Sequence, residues 1–278
     1  MIAFENIDVM GWMPAIRGMR NPMNSWDKSD SFFICDDESD AMTILGDTRP
    51  YSYSDFTDVV GVGDGVYIGK NDAELMKKLT MAGTDHAKFR RMIIVYMDIT
   101  APLYWWKEFD TYKVGTVANS CSTMHKIAEK EFTLEDFSCE HLFAVESGED
   151  DDRVDENTIW LDDIFKVEDS MMDEIGTMNG ITPVATSIEL LSGIVTYFNT
   201  CRENFLETHD KKYWWQMIQL LPSSYNQKRT VMVNYEVLAN IYKSRKNHKL
   251  DEWVGFCKLL TTFPYSELIT MEYKEEEE

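Results

Sequence analysis

Residues 102–121 read PLYWWKEFDTYKVGTVANSC and form the most informative run of this sequence. Proline is tolerated in the first turn of a helix, so Pro102 predicts a helix that continues through Phe109. Gly115 predicts a break in that helix, and helical spacing resumes over residues 119–130. The run therefore predicts a helix, a polar break and a second helix.

The residue types in this run allow two interpretations. A helix N-terminus at Asn119 presents free backbone N–H groups that attract anions, and Lys107 and Lys113 would add positive charge. Alternatively, Trp105 and Trp106 pack in the hydrophobic core and the polar residues only cap helix ends. The first interpretation predicts a binding site for a charged ligand, and the second predicts a structural region.

The first half of the chain predicts strands and one helix. Residues 92–100 are rich in Ile, Val and Tyr and predict a buried strand. Short apolar runs at residues 31–35 and 66–68 predict two more strands, with a hairpin turn at residues 64–65. Residues 72–81 predict a helix capped by Asn71 or Asp72.

The second half of the chain is predominantly helical. Helices are predicted from Ser187, over residues 213–221, over residues 231–245 and over residues 250–260, because apolar residues recur with the helical period. Strands gathered in one half and helices in the other favour an α+β fold.

Asn234 and Arg245 are eleven residues apart in the predicted helix 231–245 and would share one face. An amide and a guanidinium on one face suit the edge of a uracil ring or a phosphate, because arginine offers two parallel donors. Exposed Asn and Arg are also common on helices that bind nothing. The pair is a candidate site with an ordinary structural alternative.

Negative charge is concentrated in one segment. The 278-residue chain has a formal net charge of −22, and residues 131–174 hold 17 acids against Arg153 and Lys166, a net of −15. Residues 275–278 add −4. The segment is interpreted as a solvated insertion, with a disordered acidic tail, as an acidic surface that mimics nucleic acid, or as a surface that binds a basic partner. Nucleic acid is not an expected partner, because like charges repel.

Composition argues against several other classes of function. The 5 cysteines and 5 histidines contain no Cys-x-x-Cys or His-x-x-x-His pattern, so neither a metal site nor a disulfide framework is predicted. No P-loop and no Gly-x-Ser-x-Gly motif occurs. No signal peptide is recognised, and apolar runs fall short of the ~20 residues that a membrane span needs. We expect a cytoplasmic protein that binds no membrane.

Residues 101–124 and 221–245 together resemble the flavin-dependent thymidylate synthases. That family has an Ala-Pro after a buried strand, then a helix, an Arg-His-Arg motif and later Ser, Asn-Glu, Ser and Arg-Tyr positions. Farther on it has a Leu-Pro followed by a spaced Asn, Asn and Arg. The matching positions here are Ala101-Pro102, Thr111-Tyr112-Lys113, Thr116, Ala118-Asn119, Cys121, Thr123-Met124, Leu221-Pro222, Asn234, Asn240 and Arg245. The spacing is kept, while most of the signature arginines are replaced.

The resemblance implies a fold of the thymidylate synthase complementing protein type, a mixed or antiparallel sheet with a helical layer. It implies a single α/β domain with a core at about residues 74–253, interrupted by the acidic insertion. It also implies a homotetramer with active sites at subunit junctions.

Site residues follow from the same resemblance. Arg245 matches the arginine that contacts the pyrimidine and would be the catalytic residue, polarising the ring. Glu108 stands where a substrate-binding Gln is usual, and Glu236 where a flavin-contacting Arg is usual. The predicted cofactor-binding residues are Lys113, Thr116, Asn234 and Asn240. The predicted substrate-binding residues are Lys107, Glu108, Asn119, Cys121 and Arg245.

Three functions are therefore considered. The first is a divergent enzyme that carries out reductive C5 methylation, or a related one-carbon transfer, on a pyrimidine deoxynucleotide, with FAD, NADPH and methylenetetrahydrofolate. The second is a catalytically inactive homologue that binds nucleotide or flavin in a structural or regulatory role. The third is an acidic module for protein interaction.

Overall fold

The computed structural model describes residues 2–33, 61–62, 65–144, 159–160 and 184–272. The chain divides into two compact units, a helical unit within Ser122–Asn226 and a sheet unit within Ile2–Cys121 and Gln227–Glu278. The acidic tail, Cys35, Asp64 and most of the acidic segment lie outside the described residues, so the predictions made for them stay predictions.

Within the described residues, the strands belong to one larger sheet and two small pairs. In chain order they are β1 (Ala3–Met10), β2 (Phe32–Phe33), β3 (Gly61–Val62), β4 (Val66–Tyr67), β5 (Ile94–Pro102), β6 (Thr116–Ser120), β7 (Ile159–Trp160), β8 (Val184–Ala185) and β9 (Asn226–Asn234). The larger sheet has the order β3-β1-β5-β9-β6. Strand β1 pairs parallel with β3 and antiparallel with β5, and β6 pairs antiparallel with β9. The predicted mixed or antiparallel sheet is confirmed.

The helices lie between the strands along the chain and after the last of them. They are α1 (Trp12–Arg20), α2 (Lys70–Met81), α3 (Leu103–Phe109), α4 (Thr123–Lys126), α5 (Ser187–Thr208), α6 (Lys211–Gln219), α7 (Tyr235–Arg245), α8 (Asp251–Leu260) and α9 (Glu267–Thr270). Short 3-10 helices lie at Asn21–Met23, Trp26–Lys28, Lys88–Arg91 and Leu134–Asp136. In the part of the chain described here, no helix combines the length and apolar character needed to span a bilayer.

One hydrophobic core joins the sheet to the helices of the sheet unit. It holds side chains from strands β1, β5 and β9 and from helices α1, α3, α7 and α8. Trp105 is fully buried and its ring centroid lies 4.7 Å from that of Trp253, while Trp106 is buried beside it. Large aromatic side chains contribute most to such a core, so the two adjacent tryptophans are core residues, as one of the interpretations above predicted.

A buried carboxylate fixes the start of α2. Asp72 is fully buried and accepts hydrogen bonds from Arg20 Nε at 2.6 Å and from the hydroxyls of Ser29 and Ser31 at 2.7 Å. The predicted cap is therefore displaced: the helix begins at Lys70, after Gly69, and Asp72 lies inside its first turn. Its charge is tolerated in the interior because Arg20 and the two hydroxyls compensate it.

The helical unit has its own core and well-formed caps. Helix α5 begins after Thr186, which forms a capping box with Glu189, so the cap lies one residue before the predicted Ser187. Helix α6 is capped by Asp210. Phe198 of α5 and Met217 of α6 are fully buried in this second core.

Several predicted elements are confirmed, and two are wrong. Strand β5, the β2–β4 pair and helices α2, α3, α6 and α8 lie close to the predicted ranges. The predicted helix over residues 119–130 is wrong, because residues 116–120 are strand β6 and only Thr123–Lys126 is helical. The predicted helix over residues 231–245 is wrong in its first turn, because β9 extends to Asn234. Pairing between β6 and β9 outweighs the local helical spacing in both places.

Candidate functional site

Arg245, the last residue of α7, is held by groups from three other places in the sheet unit. Its Nη1 lies 2.7 Å from Glu108 Oε2 on α3 and 2.9 Å from His248 Nε2. Its Nε donates to the Tyr112 hydroxyl at 3.0 Å. The side chain is 20% exposed, and that of Glu108 is 35% exposed. The guanidinium is therefore fixed in orientation while part of it stays accessible.

Aromatic rings complete the surroundings of this ion pair. The Arg245 guanidinium carbon lies 4.9 Å from the Trp253 ring centroid and 5.9 Å from that of Tyr112. Trp253 Nε1 also donates to Glu108 Oε2 at 3.0 Å. Rings favour a cation over their faces, and low exposure strengthens the attraction between the two charges. Glu108, Tyr112, Arg245, His248 and Trp253 are called the Arg245 cluster below.

An open pocket adjoins the cluster and shares Tyr112 with it. The pocket has a volume of about 210 Å³. Its lining residues are Thr111, Tyr112, Lys113, Val114, Val237 and Asn240. Lys113 is exposed and forms no ion pair with any residue that the structure describes, and Val114 is 90% exposed. The pocket thus offers an ammonium, an amide and two apolar side chains.

Asn234 does not lie on the helix face but caps α7, the helix whose Val237 lines the pocket. It precedes α7 as its N-cap, and its Oδ1 accepts from the Val237 N–H at 3.0 Å. The predicted shared helix face of Asn234 and Arg245 is therefore wrong, since the chain is still extended at Asn234. Gly115 packs on this cap with a φ of +81°, and a Cβ at Gly115 would lie 2.6 Å from Asn234 Nδ2. Both the left-handed backbone and the close approach require glycine there.

The other predicted site residues lie around this centre or away from it. Thr116 pairs with Val233, and its buried Oγ1 has no hydrogen-bond partner among the described groups. Lys107 is exposed on α3, and Asn119 is exposed on β6 opposite Thr230. Cys121 is exposed, and its N–H donates to the Lys228 carbonyl. The predicted anion site at a helix N-terminus near Asn119 is wrong, because that residue lies in a strand.

The structure therefore separates the predicted residues into two groups. Glu108 and Arg245 belong to the cluster that contains Tyr112, and Lys113 and Asn240 line the pocket that shares Tyr112. Asn234 caps the helix that carries Asn240 and Arg245. Lys107, Asn119 and Cys121 do not line the pocket. Sequence reasoning missed the roles of Tyr112, His248 and Trp253, although His248 follows Arg245 by less than one helical turn.

Glu236 and Thr111, two residues at which the sequence departs from the family motif, make contacts that stabilise the fold. The Glu236 carboxylate lies 3.3 Å from buried Arg90 Nη2 and 3.5 Å from Arg91 Nη2. Arg90 Nη1 also donates to the Leu268 carbonyl at 3.0 Å. The Thr111 hydroxyl donates to the Glu108 carbonyl at 2.7 Å. Both side chains thus serve the fold at positions where arginine is expected.

In the part of the chain that the structure describes, no group of three or more His, Cys, Asp or Glu side chains could hold a metal ion. The site consists of an ion pair, aromatic rings and an amide. Such groups suit a planar polar ligand.

The chain is an α+β protein with the fold of the flavin-dependent thymidylate synthases. The solved structures similar to it include ThyX of Helicobacter pylori complexed with FAD and dUMP, with 14% sequence identity and a TM-score of 0.53, covering 98% of this chain and 99% of that one. A second structure of the same enzyme with FAD and dUMP has 13% identity and a TM-score of 0.52, with 97% of each chain covered. No family model and no curated protein matches the sequence. At this identity the likeness establishes the fold.

Proposed function

We propose that the chain is a divergent flavin-dependent enzyme that transfers a one-carbon unit to C5 of a pyrimidine deoxynucleotide. The observation that carries this proposal is the gathering of Glu108, Lys113, Asn240 and Arg245 around Tyr112. These residues come from distant parts of the sequence, and each matches a ligand-handling position of the family. The similar Helicobacter pylori structures contain FAD and dUMP, which names the cofactor and substrate class to test.

The residues of the pocket fit part of a flavin nucleotide. Lys113 would pair with a phosphate, Asn240 would donate to a ring carbonyl, and Val114 and Val237 would contact the apolar ring face. Thr116 and Asn234 would support the cofactor from beneath. Reduced flavin, when bound, supplies the hydride for the transferred carbon. NADPH and methylenetetrahydrofolate are proposed as the sources of the hydride and of the carbon.

The pocket on one chain is small for such a ligand. Its volume of about 210 Å³ lies below the roughly 300–1,000 Å³ of typical ligand pockets. A second copy of the chain would supply the remaining wall, in keeping with the homotetramer that the resemblance to the family implies and that we propose here. The exposed Val114 side chain, at the rim of the pocket, is a suitable contact for that copy.

Arg245 is the proposed catalytic residue. A guanidinium fixed by Glu108, Tyr112 and Trp253 does not need to reorganise when charge develops on the pyrimidine ring, and such fixed donors stabilise transition states most effectively. Glu108 would contact the ring edge. Lys107, Asn119 and Cys121 remain proposed substrate contacts.

A second candidate function is supported by the same ion pair. Glu108 neutralises much of the Arg245 charge, and Thr111 has no cation to offer a phosphate. Each charge-assisted hydrogen bond that is lost costs about 1.5–3 kcal/mol. A homologue that only binds a nucleotide has no transition state to stabilise, so it would tolerate Glu108 and Thr111 at these positions.

One experiment distinguishes the two functions. The purified full chain is scanned for flavin absorbance and titrated with pyrimidine deoxynucleotides by calorimetry, and then assayed with FAD, NADPH and methylenetetrahydrofolate. The enzyme proposal expects bound flavin and a methylated product. Arg245→Ala should lose the product, and Lys243→Ala, an exposed control on the same helix, should keep both. Nucleotide binding without product supports the second function. Absence of flavin and nucleotide binding rules out both.

A further inference from the structure

Two polar atoms of the Arg245 cluster are left open toward a ligand. The Glu108 carboxylate makes its contacts through Oε2, which pairs with Arg245 Nη1 and accepts a hydrogen bond from Trp253 Nε1. The guanidinium uses Nε and Nη1, toward Tyr112, His248 and Glu108. Glu108 Oε1 and Arg245 Nη2 have no hydrogen-bond partner among the residues that the structure describes. Each partner of this partly exposed ion pair thus keeps one polar atom for a ligand, an acceptor on Glu108 and a donor on Arg245.

This arrangement is complementary to a ring edge that carries an N–H donor next to a nitrogen or oxygen acceptor. A 4-aminopyrimidine has such an edge, since its exocyclic amine lies beside ring N3. A carboxylate accepts from the amine of cytosine, and a guanidinium donates to ring acceptors. Because the guanidinium is fixed by three contacts, little conformational entropy is lost when the edge docks.

A 4-oxopyrimidine such as uracil fits the same two atoms less well. Its N3–H is flanked by carbonyl oxygens on both sides, so a carboxylate oxygen facing N3–H also faces two negative dipoles. A neutral Gln at this position would donate to one of those carbonyls, and Glu108 has no proton to donate. The carboxylate therefore favours the amine and disfavours the carbonyl.

We propose that Glu108 and Arg245 select a cytosine-type ring, so that the site prefers a 4-aminopyrimidine deoxynucleotide over a uracil deoxynucleotide. This inference rests on the proposed function, because it assumes that a pyrimidine nucleotide binds at the Arg245 cluster. Glu108 is then the residue that determines specificity, whereas Arg245 can donate a hydrogen bond to a cytosine or a uracil ring.

The test is a calorimetric titration of the full chain, in the presence of FAD, with three deoxynucleoside monophosphates. They carry cytosine, uracil and 2-pyrimidinone, the last of which keeps N3 and O2 but lacks the amine. Each is titrated into wild type, Glu108→Gln and the control Lys243→Ala. Circular dichroism and thermal unfolding of each variant verify that it is folded.

We expect wild type and Lys243→Ala to bind the cytosine nucleotide about 10- to 100-fold more tightly than the other two, the discrimination typical of one base-edge contact. Glu108→Gln should lose this preference or reverse it toward uracil. If wild type prefers uracil, or if Glu108→Gln leaves the preference unchanged, the selectivity inference is overturned while the proposed function stands. If no pyrimidine nucleotide binds to any variant, the proposed function fails and this inference fails with it.

Discussion

Glu108 and Arg245 form an ion pair of 2.7 Å that joins the end of α3 to the end of α7. Trp253 donates to the same carboxylate oxygen, and its ring lies against the guanidinium. The pair thus couples the proposed ligand site to a fully buried tryptophan of the core. Changes at the site are expected to affect stability as well as binding.

Glu108→Ala is expected to lower the free energy of unfolding by about 1–3 kcal/mol, because it leaves buried Trp253 Nε1 without its acceptor. Urea unfolding followed by tryptophan fluorescence measures this loss. The neighbouring exposed Lys107→Ala serves as the control and should unfold like wild type. Equal stability of the two variants would show that the carboxylate does not anchor Trp253.

Gly115→Ala is expected to destabilise the chain more than Gly83→Ala does. Both glycines have positive φ, +81° and +103°, but a Cβ at Gly83 meets nothing within 4 Å while one at Gly115 meets the Asn234 cap. The backbone strain costs about 1–2 kcal/mol at either position, and a disturbed N-cap adds about 1 kcal/mol at Gly115. Chemical denaturation of the two variants side by side measures the difference. Equal losses would mean that the cap adjusts freely.

Asp72 is expected to make stability depend on pH in the acidic range. Burial raises the pKa of Asp72, but hydrogen bonds from Ser31 and Ser29 and the Arg20 guanidinium outweigh this, so the pKa is lowered overall. A lowered pKa in the folded state means that its stabilisation is full above the usual pKa of an aspartate and is lost as the pH falls through the folded value.

Asp72→Asn should therefore reduce stability at neutral pH, by about 3–5 kcal/mol as for other broken buried ion pairs, and should flatten the acid limb of the stability curve. Urea midpoints measured from neutral to acidic pH provide the comparison. Glu74→Gln is the matched control, since its carboxylate is 66% exposed and lies 3.9 Å from Lys70. If the urea midpoints of Asp72→Asn and of wild type fell equally between neutral and acidic pH, Asp72 would not be the source of the acid dependence.

Glu236→Arg is expected to destabilise the fold even though it introduces the arginine of the family motif. The new side chain would meet Arg90 and Arg91 without a carboxylate, and leaving a buried charge unpaired costs about 3–5 kcal/mol. Thermal unfolding measures the loss. The double variant Arg90→Met with Glu236→Arg should recover part of it, and failure of that recovery would show that Arg90 is not the source of the cost.

The sequence predicted the fold best where local signals agreed with the final contacts. Strand β5 and helices α3, α6 and α8 follow from β-branched runs, caps and 3.6-residue periodicity. The last two residues of β6 and the end of β9 were predicted as helix, because the pairing of these strands depends on partners more than a hundred residues away in the chain. Thr116 meets Val233 only in the folded sheet.

The candidate site was predicted in part for a similar reason. The resemblance to the family, which rests on motif spacing, identified Lys113, Asn240 and Arg245, and all three lie close to Tyr112 in the structure. It gave no sign that Glu108 pairs with Arg245 or that Tyr112 bridges the cluster to the pocket, since such contacts are set by tertiary packing. Asn234 was predicted to lie on a helix face, but β9 extends to this residue and makes it the N-cap of α7. The local sequence does not show where β9 ends.

The contacts between Glu236 and the two neighbouring arginines have an evolutionary consequence. A reversal of charge at Glu236 or at buried Arg90 brings two like charges together in the interior. An exchange toward the arginine-rich motif must therefore pass through an unstable intermediate or change two codons together. The need to keep the fold stable would therefore preserve the present charge arrangement, even if selection on ligand binding were relaxed.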